Sequence, residues 1–106
     1  MKEIAEKYPK FWEDFLDWMY LYDNKNPVVH GPTFDLNCAF GYLVLEYFPQ
    51  HGIRIAHFTT GEFIIKSGGD FVYSKDKSVM TFKNPERVIA KAAGIREKQL
   101  KALEGK

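Results

Sequence analysis

The sequence predicts an α+β domain: two N-terminal helices, a three- or four-stranded antiparallel meander, and a C-terminal helix. Three observations carry this. Apolar residues recur at helical spacing over residues 9–22 and 36–48. Short β-branched and aromatic runs, separated by glycine-bearing turns, occupy residues 53–82. Asn84-Pro85-Glu86 then supplies an N-cap residue, a proline for the first helical position and an acid for the first turn. With 106 residues, 1–106 forms a single domain able to bury a core without metal or disulfide support.

Residues 2–8 are helix-competent but short, and Pro9 disfavours helical geometry at Tyr8, so a frayed arm is expected. Pro9 suits the start of a helix running to about Tyr22. Phe11, Trp12, Phe15, Leu16, Trp18, Met19 and Tyr22 fall in one arc of it, and Lys10, Glu13, Asp14 and Asp17 fall outside. Core packing explains that aromatic face. The alternative is a protein-binding stripe made of Trp12 and Trp18, with Glu13, Asp14 and Asp17 as an acidic contact beside it. Asp23 to Pro32 has no periodicity and is punctuated by Asn26-Pro27 and Gly31-Pro32, which predicts a loop. His30 in this loop joins the candidate protein-binding residues.

Leu36 to Phe48 is the clearest periodic stretch. Leu36, Ala39, Phe40, Leu43, Val44, Tyr47 and Phe48 share a face, while Cys38, Gly41, Tyr42 and Leu45 lie opposite. An apolar second side predicts a central helix covered on both sides. Thr33 or Asp35 can cap it, Pro49 should end it, and Gly52 should turn the chain into the sheet.

Ile53–Phe58 and Phe63–Ser67 flank Thr59-Thr60-Gly61-Glu62, and Gly68-Gly69 leads into Phe71–Ser74. A polar turn at residues 74–77 precedes Val79–Phe82, the candidate fourth strand. Alternation puts Ile53, Ile55, Phe63, Ile65, Phe71, Tyr73, Met80 and Phe82 on one face. Arg54, Ala56, Phe58, Ile64, Lys66, Val72, Val79 and Thr81 fall on the other. That second face is apolar enough to need partial cover, by the C-terminal helix or by a second copy in a homodimer.

Residues 85–103 can form one helix or two. As one, Val88, Ile89, Ala92, Leu100 and Leu103 share a face, and Gly94 sits in the interior at a cost of about 1 kcal/mol relative to alanine. As two, Gly94 caps the first helix and Leu100 and Leu103 turn inward from the second.

Composition excludes several function classes. A single cysteine, Cys38, rules out an internal disulfide and fits a reducing compartment. No apolar run suggests a signal peptide or a membrane span, so a cytoplasmic protein without membrane contact is expected. His30, His51 and His57 show no metal-ligand spacing, and no activated nucleophile or phosphate loop is visible. No cofactor, metal or catalytic residue is therefore assigned, and enzymatic activity is not expected. The net charge of +1 hides a gradient: residues 1–65 carry 5 Lys/Arg against 9 Asp/Glu, and residues 66–106 carry 10 against 5.

In its two-helix form, residues 88–103 resemble the helix-turn-helix segment of LacI-type repressors. Ile89-Ala90-Lys91-Ala92-Ala93-Gly94-Ile95, then Leu100 and Leu103, carry the resemblance. It implies a recognition helix offering Arg96, Lys98, Gln99 and Lys101 to DNA, with Arg96 standing where such motifs place Ser or Thr. The overall layout, with YPKFWEDFLDWM at the start and EYFPQHGIRI in the middle, resembles small proteins of phages and other mobile elements. That resemblance implies an accessory or inhibitor protein acting by binding another protein. The expectation is thus a non-enzymatic protein-binding module, with DNA binding as the alternative and a small enzyme as a minority one.

Overall fold

The computed structural model describes residues 2–23, with side chains through Met19, and residues 40–105. The fold is α+β. Helices α1 (Lys2–Lys7) and α2 (Pro9–Asp23) lead to α3 over residues 40–50. Strands β1 (Ile53–His57), β2 (Phe63–Ser67) and β3 (Asp70–Phe71) follow as an antiparallel sheet in the order β1-β2-β3, and α4 (Pro85–Glu104) comes last. Of the loop expected from Asp23 to Pro32, Asp23 is the last residue of α2 and the rest lies outside the described residues, as do the caps at Thr33 or Asp35 and Leu36, Cys38 and Ala39.

The frayed arm expected at 2–8 is helical. Ile4 and Ala5 are buried in the core, and Tyr8 N–H donates to the Ile4 carbonyl at 2.8 Å. Tertiary burial sustains a helix too short to persist alone. Pro9 interrupts the ladder without breaking the path, since Trp12 N–H still reaches the Tyr8 carbonyl at 3.0 Å.

Pro49 does not end α3. It lacks an N–H and its ring crowds the carbonyl four residues back, so the helix widens before it. Leu43–Tyr47 is π-helical, with Phe48 N–H donating to the Leu43 carbonyl, and one more α-helical turn spans Phe48–Gln50. Leu43, Tyr47 and Phe48 are all fully buried. The expected cover on both sides of this helix is absent at Leu45, which is 75% exposed.

The β1–β2 hairpin follows the sequence reading, with Ile53 opposite Ser67 and His57 opposite Phe63. Gly68 and Gly69, at φ 63° and 91°, form the tight turn into β3 that a side chain would strain. This turn sets Phe71 opposite Lys66, on the face of Arg54 and Ile64, whereas Val72 packs toward the core. The expected placement of Phe71 and Val72 is therefore reversed, because a one-residue shift of register exchanges faces. The fourth strand is reduced to two bridges. After Val72 the chain makes a short hairpin, Tyr73 meeting Val79, and returns so that Phe82 and Phe63 exchange backbone hydrogen bonds at 2.7 and 2.9 Å.

α4 is a single helix, so the break at Gly94 does not occur. Asn84 Oδ1 accepts the Glu86 N–H at 2.8 Å, as the sequence predicts. Val88, Ile89, Ala92 and Ala93 join Phe11, Phe15, Phe48, Ile53 and Ile65 in one cluster. The C-terminal helix thus covers the Ile53/Ile65 face, lying against both α2 and the sheet, while on the opposite face Ile64 is also buried. Phe58, Phe71 and Tyr73 are exposed there.

Candidate functional site

α2 and α4 pack along one another because each carries an apolar stripe of helical period, ending in a shared core. Their polar flanks meet as a groove of about 380 Å³ lined by Lys10, Glu13, Asp14, Asp17, Leu100, Leu103 and Glu104. The acidic cluster read from the sequence is thereby set beside an apolar edge. Glu13 and Asp17 are exposed, and Leu103, expected to turn inward, is 61% exposed.

From Asp14 on the groove wall a partly buried polar network runs inward. Tyr47 Oη donates to Asp14 Oδ2 at 2.6 Å and accepts from Arg96 Nε at 3.2 Å. Arg96 Nη2 donates to the same Asp14 oxygen at 3.2 Å, and Nη1 donates to Gln99 Oε1 at 3.0 Å. Gln99 Nε2 in turn donates to the His51 carbonyl at 3.2 Å, which ties α4 to the turn after α3. A guanidinium with three directed partners is held in one orientation. Burial, then the bond to Asp14, drives the Tyr47 hydroxyl pKa far above its ordinary value. The His51 imidazole, set edge-on 4.9 Å from the Tyr47 ring, is pushed below its ordinary value by burial and then by the Arg96 charge. Neither the phenol nor the guanidinium is poised as a base or nucleophile. This network fixes geometry.

A second carboxylate enters from α4. Glu97, 4% exposed, accepts the Phe11 backbone N–H at 2.7 Å through Oε1 and lies 3.9 Å from Lys101 Nζ through Oε2. Lys10 pairs with Glu104 at the groove's end, and that hydrogen bond raises the lysine's pKa.

The residues named from sequence separate by environment. Trp12 is 5% exposed inside the aromatic core, and among the described residues its indole N–H finds no acceptor. Trp18 is half-buried, stacked on Phe15 and edge-on to Tyr47. Both rings pack against the core, whereas on α2 Glu13 and Asp17 are exposed and Asp14 is half-buried. His30 lies outside the described residues. Of the DNA candidates, Arg96 is 8% exposed and Gln99 half-buried, both turned inward; Lys98 and Lys101 are exposed. Those four residues do not share one outward face. Tyr47 and Glu97 were not singled out as site residues because their partners lie on other elements, beyond the reach of local periodicity. Among the described residues no three His, Cys, Asp or Glu side chains converge as metal ligands, and no helix is long and apolar enough to cross a membrane.

Comparison with known protein families, curated proteins and solved structures finds no match to this chain.

Proposed function

We propose that the protein is a non-enzymatic interaction module that binds a protein partner along the α2–α4 groove. One observation carries the reading: uncompensated carboxylates and an exposed leucine share a single groove on a rigid base. Glu104 is paired with Lys10 and Asp14 with Arg96, which among the described residues leaves Glu13 and Asp17 as open negative charge beside Leu100 and Leu103. A cationic amphipathic segment complements this surface, its apolar side meeting the leucines and its lysines or arginines the carboxylates. The resemblance of YPKFWEDFLDWM and EYFPQHGIRI to stretches of small phage and mobile-element proteins is in keeping with an accessory or inhibitor role.

The test uses a synthetic helical peptide with leucine and lysine on opposite faces, followed by backbone amide shifts. Shifts should concentrate on residues 10–17 and 100–104, and E13K/D17K should abolish them while leaving the fold intact. Shifts mapping elsewhere, or unchanged binding by the charge-reversed variant, would sink the reading.

A further inference from the structure

On another side of α4 the charge has the opposite sign. Lys91, Lys98 and Lys101 project from α4 and Lys7 from α1 around a depression of about 300 Å³, whose remaining lining is Tyr8, Gly94, Ile95 and Glu97. The three lysines of α4 recur at spacings of seven and three residues, so the helix sets them along one side. Lys7 completes the rim from α1, with its ammonium 5.5 Å from the centre of the Tyr8 ring. The single carboxylate is Glu97, already engaged by the Phe11 N–H and lying 3.9 Å from Lys101. Among the described residues, Lys7, Lys91 and Lys98 have no carboxylate partner. Four cations facing one carboxylate leave a net positive depression, and like charges held together lose energy that an anion recovers.

The floor depends on a missing side chain. A Cβ at Gly94 would stand 3.2 Å from Tyr8 Cζ and Oη. Glycine is a poor helix former, and here its missing side chain admits the Tyr8 ring against α4. The ring and its hydroxyl then sit at the base of the lysine rim.

We infer that this depression between α1 and α4 is a binding site for phosphate groups. Ammonium groups on flexible stems suit multiply charged oxyanions, and the Tyr8 hydroxyl can add a neutral donor. Such groups could be carried by a free polyphosphate or by a nucleic-acid backbone. The site is separate from the acidic groove and does not rest on the partner-binding reading.

The experiment titrates the protein with inorganic pyrophosphate and, separately, with a short duplex DNA at low salt, reading backbone amide shifts and affinity. Binding should map to residues 7–8 and 91–101. K91E/K98E should weaken it roughly tenfold or more, since contacts to charged groups are each worth about a factor of ten. K75E/K77E, on the distant hairpin, is the control and should leave binding unchanged. If the backbone is the ligand, the salt slope for duplex should fall by about two units in K91E/K98E. If a free polyphosphate is the ligand, pyrophosphate binds and duplex does not. Absence of binding by both probes, or equal loss in K75E/K77E, overturns the inference. Circular dichroism of each variant separates lost binding from lost fold.

Discussion

Glu97 caps α2 from a distance of 86 residues: its carboxylate accepts the Phe11 backbone N–H at 2.7 Å, in a position 4% exposed. Pro9 interrupts the helical ladder just before this point, and the first turn of α2 therefore presents N–H groups that need an acceptor. α4 supplies one. The same contact fixes α4 against α2, and both the acidic groove and the lysine-rimmed depression depend on that packing.

Glu97→Ala should cost about 2–3 kcal/mol, because it leaves a buried backbone donor without its charged acceptor. Glu97→Gln keeps an acceptor oxygen and should recover more than half of that loss. Urea unfolding, compared at constant slope, measures both. Equal destabilisation by the two variants would show that packing, not capping, is what Glu97 contributes.

Tyr47→Phe should keep the ring contacts with Phe11, Phe15, Trp18 and Phe48 and lose only the hydroxyl shared by Asp14 and Arg96. The expected cost is about 1 kcal/mol, since Asp14 and Arg96 still meet directly. Because the folded pKa of Tyr47 is raised, its contribution is complete below the ordinary tyrosine value of about 10 and is lost as pH rises beyond it. Tyr47→Phe should therefore flatten the alkaline limb of the stability profile. An unchanged alkaline limb would refute this assignment.

Local features of this fold were legible and cross-chain ones were not. The Asn84 cap, the Gly68-Gly69 turn and the 53–67 hairpin are set by residues within a few positions of each other, and sequence reads them well. The π-helical turn before Pro49 follows from proline chemistry, yet sequence cannot choose between ending the helix and widening it. Arg96 reads as a surface residue on α4 until Asp14, 82 residues earlier, is placed beside it. For the acidic site, Glu13, Asp14 and Asp17 were visible from α2 alone. Leu100 and Leu103 were missed because an amphipathic helix predicts them inward, whereas the last turns of α4 border a groove.

His51 should titrate below its ordinary value of about 6.5. The folded state then binds this proton less readily than the unfolded chain. Stability from this group is intact above pH 6.5 and declines as pH falls below it, until the folded pKa is passed. Arg96→Met should move the His51 titration upward by removing a neighbouring positive charge, without restoring it fully, since burial is the larger cause. Imidazole proton shifts across pH follow His51 in the native protein and in Arg96→Met. A His51 titrating at or above 6.5 in the native protein would contradict its placement against Tyr47.

Asp76 organises the hairpin tip: its carboxylate accepts from the Ser74 and Ser78 hydroxyls and from the Ser78 N–H at 3.0 Å. Those bonds hold its pKa down to about 2, against an ordinary 3.8. The order they confer is present above pH 3.8 and should be lost as pH falls through about 2. Asp76→Ala should show the same loss of Ser78 amide protection at neutral pH. Protection that survives both treatments would mean that the Tyr73–Val79 bridge alone holds the hairpin.

Gly94 and Tyr8 should behave as a coupled pair. In the native background, Gly94→Ala gains helix propensity, worth about 1 kcal/mol, but its Cβ would lie 3.2 Å from the Tyr8 ring and displace it. The expected net change is therefore near zero. In a Tyr8→Ala background the obstruction is gone, and Gly94→Ala should stabilise by about 1 kcal/mol. The cycle isolates the obstruction, because the added Cβ meets the ring only where Tyr8 is retained. Equal gains in both backgrounds would show that Tyr8 yields freely and that glycine at 94 has no packing role. A coupling of about 1 kcal/mol would instead tie the glycine to the floor of the lysine-rimmed depression.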